Sequence, residues 1–554
     1  MNTFHFINTK RYTKLAVVAL AAATVISCTK LNQGLNDAVT SQQAKDALGA
    51  AGTQLLLQTA YNDVGNPYSD LGNVFSLEEV TADECVVPTR GGDWDDNGKW
   101  RALHQHTWSV DGVDAVLNMF NALNKINFDA TNVLSYTPSK GQIAEARFLR
   151  ALSLYQLLDL YGQFPFRQPG ENLLNPPIVY SGDSAVQFII KELNEVIPDL
   201  NPGNTVAQAN QDAAKMLLMK VYLNRGAFIN RAAPTFDDGD MQKVIQLGTD
   251  IMSSNKYSYN PKFFDNFNPR NSGTPEAIFA CPNTSSVTTN NTGINNRWWA
   301  TLHYNQYESK LGSAGGWNGF STVAEFYNSF DISGTPTQTP TDTLLDTRLG
   351  GRYYKGSTDQ SGVRPGLLIG QQYDENGVKY KDRKGNLLIF DPQMATDLKE
   401  TGPNLEVTGI RVIKYPPDYT NGVVSYSTAG NWLILFRYPD VVLMLAEAKM
   451  RAAAADNAGA LTLVNDLRVA RGAAPLPSMT LVNPNNVYDP LTLLAERGRE
   501  MYWEAVRRTD LIRFGVFLKP WAYKPADDAK YLVFPIPTSS LSTNPNLKQN
   551  PGYN

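Results

Sequence analysis

The segment QIAEARFLRALSLYQLLDLYGQFP, Gln142–Pro165, is apolar on most sides of the helix that its spacing predicts. Apolar side chains recur at steps of three or four residues, and few charges interrupt them. Gly162 and Pro165 are typical of a helix end. Because a helix without a polar face has to lie between neighbours, this segment predicts a core built of packed helices.

Similar spacing predicts further helices with short connections, which indicates helix pairs. Ala144, Phe148 and Ala151 fit the A-x3-F-x2-A core of a tetratricopeptide second helix, but Gln156 stands where the usual proline would follow. No fixed period runs through the whole chain. We therefore expect an all-α-dominated, irregular right-handed superhelix of about four tetratricopeptide-like helix pairs. The other predicted helices are Val110–Ile126, Asp183–Leu200, Asn210–Phe228, Met241–Ser254, Tyr438–Ala455, Gly459–Gly472 and Leu491–Gly515.

A long region between the helical blocks, about 257–431, is rich in Gly, Pro, Asn, Thr and aromatic residues. Such a region is normally functional or contains short elements of its own. KYKDRKGNLLIFD, Lys379–Asp391, predicts a hairpin around Lys384-Gly385-Asn386. We expect helical repeats at about 40–255 and 432–515, and a loop-rich cap with small β elements mainly at 60–105 and 257–431. Binding sites commonly lie on loops that helices support.

The N-terminus has the pattern of an export signal. Lys10, Arg11 and Lys14 precede the apolar run Leu15–Ile26, which is too short to span a bilayer as a helix. Small Ser27 stands directly before Cys28, as in a bacterial lipobox. The sequence thus predicts a signal peptide at 1–27, lipidation of Cys28, and a mature single domain at 28–554 that the lipid alone anchors to a membrane.

Composition excludes one class of function and makes others improbable. With 42% hydrophobic residues, 18% charged residues and a net charge of −4, the chain is not basic enough to follow nucleic acid. Cys85 and Cys281 allow one disulfide, although their separation favours two buried free thiols. Four histidines without an H-E-x-x-H motif give no strong zinc site, and no cofactor is expected.

Several segments together resemble the SusD/RagB family of nutrient-binding surface lipoproteins of Bacteroidetes. They are the helix AEARFLRALSLYQLLDLYGQFP, the pair Phe436–Ala448 and Glu496–Gly515, and the tail VFPIPTSSLSTNPNLKQNPGY, Val533–Tyr553. Together with the lipobox they cover nearly the whole chain in the right order.

This resemblance implies four tetratricopeptide-like helix pairs with a variable cap, and no catalytic activity. It further implies binding of a glycan at the outer membrane, facing the cell exterior, and delivery to a SusC-like TonB-dependent transporter. Two alternatives stay open, namely a peptide-binding RagB-like lid and a tetratricopeptide-type scaffold without a ligand of its own. The resemblance marks no binding residues, names no sugar, linkage or chain length, and leaves undecided which aromatic residues share a face.

The loop RGGDWDDNGKW, Arg90–Trp100, allows three interpretations. Asp93, Asp95, Asn97 and Gly98 match the opening of an EF-hand calcium loop, but its twelfth position is His104 instead of glutamate, which leaves at most a weak cation site. Tryptophans beside short polar side chains also suit a saccharide, because sugar rings stack on indole and sugar hydroxyls need such partners. Alternatively, the tryptophans belong to the core and the acids cap backbone amides.

Other aromatic residues in loops are candidates for the same surface. Trp298 and Trp299 are adjacent, so in an extended segment one of them would point into the core. Trp317, in GSAGGWNGF, is the strongest single candidate, because its glycine neighbours predict an exposed loop. The predicted glycan contacts are Trp317, Trp94, Trp100, Trp298, Trp299, Tyr304, Arg90, Asp93 and Asn97.

The charged helix around Glu496–Arg513 offers acids and bases at helical spacing, which more often form structural ion pairs than a catalytic centre. We interpret these charges as structural and Trp503 among them as core. A glycosidase needs two carboxylates at a defined separation, which one sequence does not reveal. No G-x-S-x-G motif indicates an esterase. The sequence thus favours a binding protein without enzymatic activity.

Overall fold

The computed structural model describes residues 41–203, 205–283, 293–306, 315–330, 346–350, 364–374, 377–418 and 429–553, with side chains from residue 49 onward. The predicted signal peptide and Cys28 lie outside the described residues. The chain divides into two compact units, Met1–Gly49 and Ala50–Asn554. Of the first unit only the beginning of a helix is described, and the second unit contains the architecture that follows.

Helices dominate the described residues. They are α1 Ser41–Ser69, α2 Lys99–His104, α3 Asp114–Val133, α4 Lys140–Tyr161, α5 Gly182–Val196, α6 Gln211–Ile229, α7 Asp238–Ser253, α8 Asn296–Trp299, α9 Ala324–Asn328, α10 Tyr438–Arg451, α11 Asn457–Ala470, α12 Leu493–Met501, α13 Arg507–Arg513 and α14 Thr538–Thr543. Because α1 continues to Ser69, the first part of the predicted cap is helical. Among these described helices, none has the length and apolar content needed to cross a membrane.

Local sequence determines where helix α4 begins and ends. Ser139 and Gln142 form a reciprocal capping box at its start, and Gly162 ends it in the left-handed conformation with a φ of 71°. The next residues form strand β2, Gln163–Phe166, so the helix ends at Tyr161, before the end predicted at Pro165. Its predicted burial is confirmed, since Phe148, Leu149 and Leu158 are inaccessible to solvent.

The long helices pack in one continuous series. Each of α3 to α7 contacts the next, and α7 then packs against α10, which packs against α11. The contact between α7 and α10 joins the helices that precede the middle region of the chain to those that follow it. This order matches the predicted superhelix of tetratricopeptide-like pairs with a loop-rich insertion.

Short strands form five two-stranded sheets within the described ranges. The antiparallel pair β4–β10 joins the two ends of the middle region, and it pairs Cys281 with Leu433. The predicted hairpin is confirmed at Asp382–Asn386, where Gly385 has a φ of 86°. The strands are β1 Thr89–Arg90, β2 Gln163–Phe166, β3 Ile178–Ser181, β4 Ala277–Cys281, β5 Gly366–Leu368, β6 Gly370–Gln371, β7 Ile389–Phe390, β8 Lys399–Glu400, β9 Arg411–Ile413 and β10 Leu433–Arg437.

The predicted single helix Leu491–Gly515 is wrong, because the chain breaks between α12 and α13. Trp503 and Ala505 adopt left-handed conformations with φ of 59° and 60°. The carboxylate of Glu79 accepts the backbone N–H of Ala505 at 2.5 Å, and that of Glu84 accepts the N–H of Trp503 at 3.2 Å. These distant acids satisfy the amides that a continuous helix would have paired internally.

Buried ion pairs connect the middle region to the C-terminal helices. The carboxylate of Glu500 accepts hydrogen bonds from Arg437 at 2.6 Å, Arg471 at 2.8 Å and Arg348 at 3.3 Å, and all four side chains are inaccessible to solvent. Burial alone would raise the pKa of Glu500, but the attraction of Arg471 and Arg437 outweighs it and lowers that pKa. The structural interpretation of these charges is confirmed, as is the burial of Trp503.

The C-terminal tail is held against the end of α4 by side-chain amides. Asn550 Nδ2 donates to the carbonyls of Tyr161 and Phe534, and Gln163 Nε2 donates to the carbonyl of Lys548. The hydroxyl of Tyr553 accepts from Trp108 Nε1 at 2.8 Å. The tail that carries part of the family resemblance thus has a structural role.

Candidate functional site

The loop Arg90–Trp100 is folded tightly back on itself. Arg90 and Asp93 exchange both backbone hydrogen bonds, at 2.9 and 3.1 Å. Trp94, Asp96 and Asn97 all lie in the left-handed region, with φ of 61°, 40° and 55°. Non-glycine residues rarely adopt this conformation, and they occur disproportionately at functional sites.

The three acids of this loop point to three different partners. Asp93 accepts a hydrogen bond from the Tyr304 hydroxyl, Asp95 accepts from Arg101 at 2.9 Å, and Asp96 accepts from Trp100 Nε1 at 2.6 Å. At the twelfth position of the EF-hand comparison, the His104 ring nitrogens face two backbone carbonyls at 3.0 and 2.9 Å. The loop therefore lacks the convergent oxygens of a calcium loop. Within the described ranges, no cluster of three or more His, Cys, Asp or Glu side chains suits a metal ion.

Two partly exposed tryptophans lie next to each other at this loop. Trp94 Nε1 donates to the backbone carbonyl of Trp317 at 2.7 Å, and both rings pack on the core beneath them. The Trp94 ring meets that of Phe320 edge-on at 5.5 Å between centroids, and the Trp317 ring stacks on that of Trp299 at 6.4 Å. One side of each indole is therefore supported by the protein.

Tyr304 extends this surface through the hydrogen bond of its hydroxyl to Asp93. Burial, followed by this hydrogen bond, raises the pKa of Tyr304 to about 12. We call the partly exposed set Trp94, Trp317 and Tyr304, together with exposed Asp93, the aromatic surface. It brings together two segments that are more than 200 residues apart in sequence.

The glycines around Trp317 let its backbone pack closely against residues 299–302. Trp317 N–H donates to the Trp299 carbonyl at 2.6 Å, and Gly319 N–H donates to the Ala300 carbonyl at 2.7 Å. A Cβ on Gly316 would stand 2.0 Å from the Leu302 carbonyl oxygen. The described part of the segment that the sequence predicted as an exposed loop, residues 315–320, is therefore packed against residues 299–302, and Trp317 is partly exposed.

Four other predicted contact residues lie inside the protein. Trp100 is 5% exposed, Trp298 2%, Trp299 1% and Arg90 2%. Trp298 and Trp299 are both core: α8 is helical, so their side chains are about 100° apart and do not point to opposite sides as in an extended segment. Trp100 packs against Trp94 and Trp299 against Trp317. All four side chains are buried and present no face to a ligand in this structure, whereas Asn97 is exposed at the loop.

The buried Arg90 guanidinium makes its hydrogen bonds to other segments of the protein through its two terminal nitrogens. It donates to the carbonyls of Leu405 and Thr408 and to the hydroxyl of Ser321. Burial lowers the pKa of Arg90 to about 10. Arg90 therefore fixes the loop to the middle region.

Sequence reasoning missed Arg383, which stands at the edge of the aromatic surface. Its guanidinium carbon lies 3.7 Å from the centroid of the Tyr304 ring, and its side chain is 48% exposed. Glu406 accepts from Arg383 at 2.7 Å and pairs with His303 at 3.1 Å. The sequence predicted the hairpin that carries Arg383, but no local signal indicated that it reaches Tyr304.

Burial and neighbouring arginines determine the ionisation of His303 and Glu406, the two groups next to Arg383. Burial, and then the nearby charge of Arg411, lowers the pKa of His303 to about 4. For Glu406, burial opposes the ionised form, but Arg383 outweighs it and holds the pKa below its usual range. At neutral pH, an ionised Glu406 therefore holds Arg383 beside a neutral His303.

Both remaining cysteines are buried free thiols, as their spacing favoured. Burial raises the pKa of Cys85 and raises that of Cys281 to about 12, which keeps the thiolate fraction small.

Comparisons with known proteins agree with this architecture. The chain is 25% identical to the starch-binding protein SusD of Bacteroides thetaiotaomicron over 503 residues, which is 86% of this chain and 85% of that protein. A SusD superfamily protein from Parabacteroides distasonis has a similar structure, with a TM-score of 0.66, 17% identity, and coverage of 93% of this chain and 100% of that chain. Surface glycan-binding protein A from Bacteroides thetaiotaomicron, solved in complex with laminarihexaose, has a TM-score of 0.64 at 16% identity, and the match covers 91% of this chain and 99% of that chain.

A sequence model of the SusD family matches residues 275–553, from just before β4 through the tail. That match spans half of the 554 residues, and this chain belongs to the SusD family.

Proposed function

We propose that this chain is a non-catalytic lipoprotein of the outer-membrane surface that binds a glycan and delivers it to a SusC-like TonB-dependent transporter. In this proposal residues 1–27 are removed, Cys28 carries the lipid, and residues 28–554 form one SusD-like domain. The observation that carries the proposal is the aromatic surface, where two partly exposed indoles and a tyrosine ring lie beside Asp93 and Arg383.

The chemistry of this surface suits an oligosaccharide. The C–H faces of sugar rings pack on aromatic rings, and sugar hydroxyls pair with carboxylate, guanidinium and phenol groups. Trp94 and Trp317 supply the rings, while Asp93 and Arg383 supply a charged acceptor and donor. Because the protein fixes each of these groups before a ligand arrives, little conformational entropy is lost on binding.

Two relatives support a glycan as the ligand. The relative from Bacteroides thetaiotaomicron is a starch-binding protein, and one structural relative was solved with laminarihexaose. These two glucans differ in linkage, so the similarity supports the ligand class and leaves the linkage to experiment. Modest affinity is compatible with delivery, because a glycan that is bound too tightly would be released slowly.

Calorimetry of the soluble chain from Thr29 onward, against a panel of polysaccharides, tests the proposal. We expect saturable binding to one glycan class and at least tenfold weaker binding by Trp317→Ala, since an aromatic ring at the centre of a contact typically contributes about 2 kcal/mol or more. Trp432→Ala is a matched control, because this partly buried tryptophan lies next to β4 and away from the aromatic surface.

The outcomes separate the candidate functions. If no glycan binds while the transporter still copurifies with the chain, a peptide lid or a scaffold replaces the glycan proposal. If glycan binding survives Trp317→Ala unchanged, the glycan lies elsewhere on the protein.

The affinity for this glycan should vary less than twofold between pH 8 and pH 5. His303, with a pKa of about 4, stays neutral in this range, and Tyr304, with a pKa of about 12, stays protonated. The same calorimetric titration at several pH values checks this. A step in affinity near pH 6.5, the ordinary histidine pKa, would contradict the neutral state of His303.

A further inference from the structure

A cleft separate from the aromatic surface lies between α1, β4 and the segment before α6. It has a volume of about 300 Å³ and shares no lining residue with the aromatic surface. Gln54, Gln58 and Asn62 line one side and follow each other at four-residue spacing, which places them on one face of α1. Gln208 faces them from the segment before α6, and all four side chains are exposed.

These amides keep hydrogen-bonding capacity for a ligand. Gln54 Oε1 accepts from Gln142 at 3.0 Å, and Gln58 Nε2 donates to Asn62 Oδ1 at 3.0 Å. In the described part of the chain, these bonds use only one end of each amide. Gln54 Nε2, Gln58 Oε1 and Asn62 Nδ2 therefore supply both donors and an acceptor at the cleft.

The deeper part of the cleft is held rigid by one tyrosine. The Tyr61 hydroxyl donates to Glu145 Oε2 at 2.5 Å and accepts from Ala209 N–H at 2.9 Å. Burial raises the pKa of Glu145, while the hydrogen bond from Tyr61 opposes that shift. The apolar side chains of Leu57 and Phe279 complete the wall.

The lining has little charge for an ionic ligand. Of the residues that line the cleft in the described ranges, none is Lys or Arg, and Glu145 is the one acid. Because that carboxylate is already hydrogen-bonded, the cleft offers no cation for an anion and no free acid for a cation. An amino acid or a phosphate would lose its solvation there without gaining an opposite charge.

We propose that this cleft is a second saccharide site, which takes an uncharged pyranose of one or two rings. Adjacent sugar hydroxyls each donate and accept hydrogen bonds, as a side-chain amide does, so the amides around the cleft can pair with them. A volume of about 300 Å³ is at the lower end of small-molecule sites, which fits a short ligand instead of a polymer chain. The site does not depend on the aromatic surface.

Ligand-observed NMR on the soluble Trp317→Ala chain tests the cleft with the aromatic surface weakened. The probes are glucose, galactose, mannose and the α1,4- and β1,3-linked glucose disaccharides. At least one probe should bind saturably, and the double change Gln58→Leu with Gln208→Leu should weaken it at least tenfold. The control Gln242→Leu changes an exposed glutamine of α7 and should leave binding unchanged.

Ala207→Trp provides an independent test, because it fills the cleft without removing a side-chain hydrogen bond. It should also abolish binding of the probe. The proposal is overturned if no probe saturates, or if binding survives both Ala207→Trp and the double glutamine change. Polysaccharide binding by the otherwise unchanged chain should survive these cleft substitutions, so failure of the second site is distinct from failure of the aromatic surface.

Discussion

Replacing Glu500 with alanine should lower the free energy of unfolding by about 3–5 kcal/mol, the typical cost of removing one partner from a buried ion pair. The substitution leaves Arg348, Arg437 and Arg471 around an empty volume that solvent does not reach. Each guanidinium keeps its other partners but loses part of the charge that made its burial tolerable. Urea unfolding of the soluble chain from Thr29 measures the change.

Glu195→Ala is the matched control. The Glu195 carboxylate pairs with Arg147 at 2.6 Å, but its side chain is 47% exposed. An exposed pair contributes about 0–1 kcal/mol, so the control should unfold at nearly the parental urea concentration. Equal losses in the two variants would show that Glu500 is not the centre of the network.

Gly319→Ala should weaken glycan binding about 30-fold, an effect of about 2 kcal/mol, by moving an aromatic ring without deleting it. A Cβ at this position would stand 2.3 Å from Cε2 of Trp94, too close for any real contact. The indole must shift, and its hydrogen bond to the Trp317 carbonyl and its packing on Phe320 would be lost together. Calorimetry with the glycan that the parent chain binds measures the loss.

The control Gly402→Ala adds the same methyl group where no atom lies within 4 Å, and it should bind like the parent. Circular dichroism and urea unfolding show whether Gly319→Ala keeps its fold. If it does not, Trp94→Phe removes the indole N–H while keeping an aromatic ring and tests the same contact. Parental affinity in a folded Gly319→Ala chain would show that the position of Trp94 does not matter for binding.

The sequence predicted the parts of the fold that depend on local chemistry. The apolar spacing of α4, the cap at Ser139 and the glycine at position 162 are all neighbours in the chain, so one segment contains the information. The break between α12 and α13 was not predictable in the same way. The acids that stabilise it, Glu84 and Glu79, lie 419 and 426 residues from the amides that they accept.

The candidate site likewise was predictable from local sequence only in part. Residue type and loop context favoured Trp94, Trp317 and Tyr304, which are partly exposed and adjacent in the structure. The same reasoning also favoured Trp100, which is buried in the core. Residue type alone does not distinguish an exposed aromatic ring from a buried one. Arg383 was missed because its place on the Tyr304 ring depends on a contact between distant segments. Contact of these residues with a ligand stays a prediction.

The antiparallel pair β4–β10 has a consequence for how such proteins diversify. Because Cys281 is already held next to Leu433, the segment between them begins and ends at one place on an intact helical support. Each doubling in length of a closed loop costs only about 0.6 kcal/mol. The segment can therefore be exchanged, by evolution or by grafting, for one that recognises another ligand, provided the new segment keeps basic residues at positions 348 and 414 to pair with Glu496 of α12 and with Glu504 in the break after it.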